Sequence, residues 1–282
     1  MAGKKRDKVR QEQLQGFKYF QAIGGLLERL HGAACRRDRA HNRLLHMDQY
    51  MLLLLLYMFN PICVSLRALQ QASTLKKVQR ALGVPRSSLG SLSEAAKVFD
   101  SSLVEEVIAQ LAGELKPMAQ DRRLEDVGAI LTVVDGTLLP AMSKMAWALW
   151  KDDHNALKAH VQLELLKGVP VAATITPGNG DERDVLEENL LPGRLYVLDR
   201  GYAVFGLMQK IVDAGSSFVV RIKDNSVVEV LEERELSQEA LGVKVVRDAV
   251  VRLGGQKSCK HLHQPVRIVA VACTPHIKSY KI

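Results

Sequence analysis

In the first part of the chain, apolar residues recur every three or four positions, the spacing typical of helices with one buried face. The recurring groups are Leu26, Leu27 and Leu30, then Leu44 and Leu45, Leu66 and Leu69, and Leu75, Val78 and Leu82. Strand-like alternation is absent here, so the pattern predicts a helical N-terminal half. Within it, the apolar run from Met51 to Phe59 is shorter than the roughly 20 residues of a membrane span and is predicted to be a buried core helix.

One segment of this half has the pattern of a helix, a short turn and a second helix. The first helix is predicted over Leu75–Leu82 and ends at Gly83, and Ser91 with Glu94 forms a possible capping box for a helix through Phe99. Four basic residues surround the turn: Lys76, Lys77, Arg80 and Arg86. A helix-turn-helix that contacts DNA phosphates fits this pattern, and so does an ordinary helix pair in a helical domain.

Near residue 125 the pattern changes from helical spacing to short β-rich runs. Strands are predicted at about 130–135, 160–166, 171–175, 194–199 and 217–222, with helices over 181–191 and 203–214. The second and third strands are predicted to form a hairpin around the turn at Lys167-Gly168. This order, three strands, helix, strand, helix, strand, is that of ribonuclease-H-like domains. Because β–α–β crossovers favour parallel pairing, the first and fourth strands are predicted to be neighbours. The expected fold class is α+β, with a helical N-terminal domain before a ribonuclease-H-like α/β domain.

Two aspartates end the paired strands of this prediction. Asp135 closes the run from Ile130, and Asp199 closes the run from Leu195. An Asp before Gly at a strand end is often a turn residue. If the two strands are parallel neighbours, however, both carboxylates lie at the sheet edge where ligands of open α/β sheets gather. Paired carboxylates suit Mg²⁺ or Mn²⁺ and metal-dependent phosphodiester chemistry.

The net charge of +8 lies entirely in the N-terminal half. Residues 1–125 carry 20 Lys and Arg against 12 Asp and Glu, whereas residues 126–282 carry 19 of each. A basic half that binds a polyanion explains this distribution, and a solvated basic face explains it equally well. The four cysteines are scattered and indicate neither a disulfide framework nor a zinc site. With no secretory core at the start, we expect a cytoplasmic protein that associates with the nucleoid and has no membrane partner.

Five sequence blocks, in order along the chain, closely resemble those of IS4-family bacterial DDE transposases. The blocks are Thr132-Val-Val-Asp-Gly-Thr137, Leu157-Lys-Ala-His160, Ile175-Thr-Pro-Gly178, Leu198-Asp-Arg-Gly-Tyr202 and Phe218-Val-Val-Arg-Ile-Lys-Asp-Asn225. The resemblance implies that Asp135 and Asp199 are the first two carboxylates of an acidic triad that binds Mg²⁺ or Mn²⁺ for DNA strand cleavage and transfer. It also implies that the basic half recognises transposon terminal repeats, with target DNA and a second or intact transposase copy as further partners.

The chain departs from this family at the third acid. The family carries it in a Tyr-x₂-Arg-x₃-Glu-x₆-Lys motif, which is not present in this sequence. We therefore expect a DNA-binding domain over 1–125, an incomplete ribonuclease-H-like core over 126–225 and a truncated β-rich insertion over 226–282. Short strands are predicted in the insertion over 243–249, 250–253 and 265–274. Such a chain is expected to cleave DNA weakly or not at all, and the alternative is a non-catalytic DNA-binding remnant that inhibits transposition.

Three further side chains keep two interpretations each. Arg200 is expected either to contact a DNA phosphate or to pair with a carboxylate. Lys158 and His160 are either cations near the scissile phosphate or ordinary surface residues.

Overall fold

The computed structural model describes residues 9–32, 43–116, 124, 127–140, 149–151, 154–238, 244–255 and 261–272. The chain divides into two units, Met1–Leu111 and Ala112–Ile282. The three-part division at residues 125 and 225 stays a prediction. Among the described residues, no helix combines the length and the apolar character that a membrane crossing requires.

The first unit is built from helices, as the spacing of its apolar residues predicts. The helices are α1 Phe17–Leu27, α2 Met47–Phe59, α3 Leu66–Ser73, α4 Lys76–Leu82, α5 Leu89–Val98 and α6 Leu103–Glu114, which runs past the division. Leu53 and Leu56 of α2 are completely buried, and α1, α3, α4 and α5 contribute to the same apolar core. The prediction of a core helix over Met51–Phe59 is therefore confirmed, although Met58 and Phe59 at its end are exposed.

The helix–turn–helix prediction is confirmed for its first helix and wrong about the start of the second. Helix α4 stops at Gly83, which has φ 63°, a left-handed conformation that glycine adopts without steric cost. Helix α5 begins at Leu89, and its N-cap is Ser88, whose Oγ accepts a hydrogen bond from the Ser91 amide at 3.0 Å. Ser91 is thus inside the helix and is not the cap.

The described residues of the second unit form nine strands in two sheets. The strands are β1 Ile130–Pro140, β2 Leu149–Lys151, β3 His154–Glu164, β4 Val169–Pro177, β5 Arg194–Leu198, β6 Ser217–Val220, β7 Val228–Glu233, β8 Val245–Leu253 and β9 Val266–Val271. The larger sheet has the order β2-β3-β1-β5-β6, and β4 pairs with β3. Strands β3 and β4 form the predicted antiparallel hairpin, and β5 is parallel to both β1 and β6. The second unit is therefore mixed α/β.

Two helices form the crossovers that make β1, β5 and β6 parallel. They are α7 Glu182–Glu188 and α8 Phe205–Asp213. Asp181 is the N-cap of α7 and accepts a hydrogen bond from the Arg183 amide at 2.9 Å. The Arg183 guanidinium also binds this carboxylate and lowers the pKa of Asp181 to about 2. Leu186 and Ile211 bury the inner faces of the two helices against the sheet.

The three last strands form a separate antiparallel sheet in the order β7-β8-β9. The sequence predicts two short strands over 243–253, and the structure has the single strand β8 there. Strand β7 was not predicted. The structure describes the predicted strand over 265–274 as far as residue 272. Residues 239–243 lie outside the described residues, and they include the start of the first predicted strand.

Candidate active site

Parallel pairing of β1 and β5 brings Asp135 and Asp199 to corresponding positions. The recorded pairs run from Ile130 with Arg194 to Val133 with Val197 at a constant offset, and each aspartate lies two residues beyond the last pair. Residues in register on parallel strands present their side chains to the same face of a sheet. We call these two carboxylates the aspartate pair.

The two aspartates differ in how their strands continue. Asp199 directly follows β5, as predicted, and caps a short 3₁₀ helix over Arg200–Tyr202. Asp135 does not end its strand, because β1 continues to Pro140 through antiparallel pairing with β3, where Asp135 lies opposite Val161. The prediction that the first strand ends at Asp135 is therefore wrong, because β1 runs to Pro140. Only the parallel pairing with β5 stops near Asp135, with its last pair at Val133.

Backbone amides hold both carboxylates in a similar way. The Gly136 amide donates to Asp135 Oδ1 at 2.8 Å, and the Gly201 amide donates to Asp199 Oδ1 at 2.8 Å. Both aspartates are exposed, and within the described part of the chain the second oxygen of each accepts no hydrogen bond. Each therefore presents one oriented carboxylate oxygen that is accessible to a ligand.

A third carboxylate, Glu182, lies beside the aspartate pair, and sequence reasoning missed it. Its Oε1 is 2.7 Å from the position that a Cβ atom on Gly136 would occupy, so the two residues are in direct contact. Lys158 of β3 pairs with the same oxygen at 2.8 Å and donates to the Gly180 carbonyl at 3.3 Å. In the sequence, the glycine that follows Asp135 is the only local feature that points to the contact with Glu182.

Tyr202 places a buried hydroxyl among these carboxylates. The residue is 1% exposed, and its hydroxyl has no hydrogen-bond partner of standard geometry in the described residues. Burial raises the pKa of Tyr202 above its ordinary value, and the negative charges of Glu182, Asp135 and Asp199 raise it further. The phenol is thus a neutral donor that points into a cluster of negative charge.

His160 is buried, and the side chain of Lys158 is 17% exposed. His160 pairs with Gly136 across the β1–β3 ladder and is 5% exposed. Its Nε2 lies 2.8 Å from Thr176 Oγ1, and that hydroxyl donates to the Pro177 carbonyl, so Nε2 must carry the proton that it donates. Burial, followed by the charge of Lys158, lowers the pKa of His160, which is therefore a neutral structural donor near neutral pH.

Arg200 pairs with a carboxylate in this structure. Its Nη1 lies 3.0 Å from Asp224 Oδ2, and both side chains are well exposed. An exposed ion pair of this kind contributes little to stability and exchanges readily. The pairing alternative is therefore observed, and contact with a phosphate stays a prediction.

The donor set fits an oxygen-preferring divalent cation. Asp135 and Asp199 supply hard carboxylate oxygens from adjacent strands, which is the ligand type that Mg²⁺ and Mn²⁺ prefer. Tyr202 adds a buried hydroxyl near the same carboxylates. Within the described ranges, no group of three or more His, Cys, Asp or Glu side chains is arranged to hold a metal. Glu182 therefore does not form a three-carboxylate metal site with the aspartate pair in this structure.

The four basic residues predicted to bind DNA all lie exposed around the α4–α5 turn. Lys76, Lys77 and Arg80 are on α4, and Arg86 is in the turn itself. The Lys77 ammonium lies 5.1 Å from the centre of the Phe17 ring, a cation–π contact within the first unit.

The second unit matches a known family. The family model described as "Transposase DDE domain" matches residues 128–269, which include Asp135, Glu182 and Asp199. The chain belongs to this family of DDE transposase domains. Such domains use divalent metal ions, in agreement with the donor set of the aspartate pair.

Two curated relatives are transposases by name. "Putative transposase y4zB" of Sinorhizobium fredii is 30% identical over 169 residues, which cover 59% of this chain and 46% of the relative. "Probable transposase for insertion sequence element IS5377" of Geobacillus stearothermophilus is 24% identical over 180 residues, which cover 63% of this chain and 46% of the relative. The chain thus spans about half the length of each of these two relatives.

A solved structure is also similar, at a low level. A cryo-EM structure of the piggyBac transposase synaptic complex with hairpin DNA has a TM-score of 0.31 and 10% sequence identity, covering 97% of this chain and 57% of that one.

Proposed function

We propose that the chain is the transposase of an insertion sequence of the IS4 type, which binds transposon ends and catalyses metal-dependent DNA strand cleavage and transfer. The observation that carries the proposal is the parallel register of β1 and β5, which gives Asp135 and Asp199 corresponding positions. The family of the second unit and the block Asp199-Arg-Gly-Tyr202 support the same assignment. The strand order β4-β3-β1-β5-β6 supports a ribonuclease-H-like core.

In this proposal the aspartate pair binds Mg²⁺ or Mn²⁺. The amides of Gly136 and Gly201 orient the carboxylates and leave one oxygen of each available. A divalent cation held there supplies Lewis-acid assistance to the hydrolysis and transfer of a phosphodiester. Arg200, next to Asp199, exchanges its exposed partner Asp224 for a DNA phosphate.

The N-terminal unit binds the terminal repeats in this proposal. Lys76, Lys77, Arg80 and Arg86 contact phosphates from one exposed helix and turn, and such contacts give affinity without reading the base sequence. Target DNA and a second or intact copy of the transposase are the further partners. The protein acts in the cytoplasm on DNA of the nucleoid.

The proposal is tested by incubating the full chain with Mn²⁺ and DNA that carries the inverted repeats flanking its own reading frame. We expect weak end-specific nicking that Asp135→Asn and Asp199→Asn abolish. Asp184→Asn is the matched control, since this exposed aspartate on α7 lies outside the site. Nicking that survives both site variants contradicts the assignment.

A second candidate function is a DNA-binding remnant that inhibits transposition without cutting. The observation that favours it is that no metal-holding group of three acidic, histidine or cysteine side chains exists among the described residues. End binding without nicking, together with reduced transposition of an intact copy, distinguishes this function from the first.

A further inference from the structure

A lysine–glutamate ion pair lies against Gly136, the residue that follows Asp135, and is largely shielded from water. The Lys158 Nζ to Glu182 Oε1 distance is 2.8 Å, and the side chains are 17% and 29% exposed. Lys158 is fixed further by the Gly180 carbonyl. Charges that are only partly exposed interact over several ångströms more strongly than charges in bulk water.

Glu182 is close enough to the aspartate pair to act on it electrostatically. Its carboxylate contacts Gly136, the residue that also orients Asp135 through its amide. The buried Tyr202 phenol interacts with all three carboxylates: a hydrogen bond to Glu182 and the negative charges of Glu182, Asp135 and Asp199 all raise its pKa, after burial. Three carboxylates therefore share one neighbourhood, and Lys158 neutralises one of them.

We propose that Lys158 and Glu182 form an internal counter-charge pair that sets how strongly the aspartate pair binds a divalent cation. Glu182 acts here as a positioning residue through its charge, and Lys158 opposes it. This inference rests on the proposed function, because it presupposes that Asp135 and Asp199 hold the cation.

The two members of the pair have opposite effects on the cation. Glu182→Gln removes a negative charge and leaves Lys158 without a counter-charge, so cation affinity should fall. Lys158→Met removes the positive charge, keeps a similar apolar stem and leaves Glu182 without its counter-charge, so cation affinity should rise. If the pair only stabilised the fold, both changes would lower stability and neither would move affinity in a direction set by charge.

The chain offers a matched control on the same helix. Glu187, at the other end of α7, pairs with Lys210 of α8. Glu187→Gln and Lys210→Met make the same chemical changes in a lysine–glutamate pair that does not touch Gly136. Any effect of these control variants on cation affinity measures the general contribution of net charge.

Mn²⁺ binding to the full chain and its variants is measured by isothermal titration calorimetry, with thermal unfolding of each variant without metal as the check on folding. We expect Glu182→Gln to weaken binding about fivefold to tenfold and Lys158→Met to strengthen it by a similar factor. The control variants should stay within about twofold. Lys158→Gln is a second variant for use if Lys158→Met does not fold.

Equal affinity of wild type, Glu182→Gln and both Lys158 variants overturns the inference, as does a change of the same sign in all of them. Failure of the proposed function has a different signature. In that case Asp135→Asn and Asp199→Asn bind Mn²⁺ as wild type does, or the wild-type chain binds none.

Discussion

The side chain of Glu182 fills the space directly above the Cα atom of Gly136. Oε1, Cδ and Cγ of Glu182 lie 2.7, 2.9 and 3.0 Å from the position of a Cβ atom on Gly136, which is closer than real Cβ contacts allow. Glycine is therefore required here because Glu182 approaches the backbone so closely. Backbone conformation is not the reason, since the φ of Gly136 lies outside the left-handed region. The contact connects the strand that carries Asp135 to the helix that carries Glu182.

Gly136→Ala should displace Glu182 and break its ion pair with Lys158. We expect a loss of about 1–2 kcal/mol in the free energy of unfolding, since the new methyl group overpacks the site. In a Glu182→Ala background, Gly136→Ala should lower the free energy of unfolding markedly less, because the side chain that opposes the new methyl group is absent. Denaturant unfolding of the two single variants and the double variant measures this coupling.

Gly206→Ala is the matched control for that experiment. A Cβ atom on Gly206, in α8, meets no atom within 4 Å, and alanine is a better helix former than glycine. The control variant should therefore be as stable as wild type or slightly more stable. Additive losses in the Gly136 and Glu182 variants would contradict the contact.

The neighbouring positions of Asp135 and Asp199 could be predicted from sequence because they depend on strong regularities. The runs before each aspartate are apolar, and a helical segment of suitable length precedes Asp199, so a β–α–β crossover makes the strands parallel. Glu182 could not be found in the same way. It is an acidic residue in the first turn of a helix, where acids are common for local reasons, and its contact with Gly136 is tertiary.

Two errors of local prediction have physical causes. Strand β7 was missed because its charged residues make it resemble a loop, and Glu229 is satisfied by a cross-strand pair with Arg252 at 3.0 Å. The cap of α5 was misplaced because several serines compete for that position, and sequence alone does not determine which of them keeps an extended backbone. Ser88 does, with φ −78° and ψ 159°.

Ser88→Ala should therefore destabilise the first unit more than Ser91→Ala does. The Ser88 side chain accepts the otherwise unpaired Ser91 amide, and loss of such an N-cap costs about 1 kcal/mol. The amide that donates this hydrogen bond belongs to the backbone of residue 91, which alanine retains. Ser91→Ala should therefore lower the free energy of unfolding less than Ser88→Ala does. Comparison of the free energies of unfolding of the two variants decides between the caps, and a larger loss for Ser91→Ala would restore the sequence-based assignment.

Tyr202 should make the protein sensitive to alkaline pH. Because its pKa is raised in the folded state, the folded chain keeps a proton that the unfolded chain releases above the ordinary tyrosine pKa of 10.0. The stabilisation is complete below that pH and is lost as the pH rises above it, at about 1.4 kcal/mol per pH unit. Burial raises the pKa of Tyr50 and Tyr196 in the same direction, so wild type should lose stability through all three.

Tyr202→Phe isolates the part that belongs to this residue. Between about pH 9 and about pH 11, its free energy of unfolding should fall less steeply than that of wild type. Tyr19→Phe is the control, since Tyr19 is 73% exposed. Denaturant unfolding at several pH values gives the two slopes, and equal slopes for Tyr202→Phe and wild type would show that the buried phenol does not resist ionisation.

The basic turn of the first unit should account for part of the salt dependence of DNA binding. Lys76→Gln and Arg80→Gln each remove one exposed cation, and each should lower the slope of log K against log salt by about 1 if the side chain contacts a phosphate. Lys77 is a less direct probe, because its change also removes the contact with Phe17.

Arg252→Gln in β8 is the control, since this arginine is already paired with Glu229. Fluorescence anisotropy over a range of salt concentrations gives the slopes, and a slope unchanged in Lys76→Gln and Arg80→Gln but lower in the control variant would place the DNA contact on the other unit.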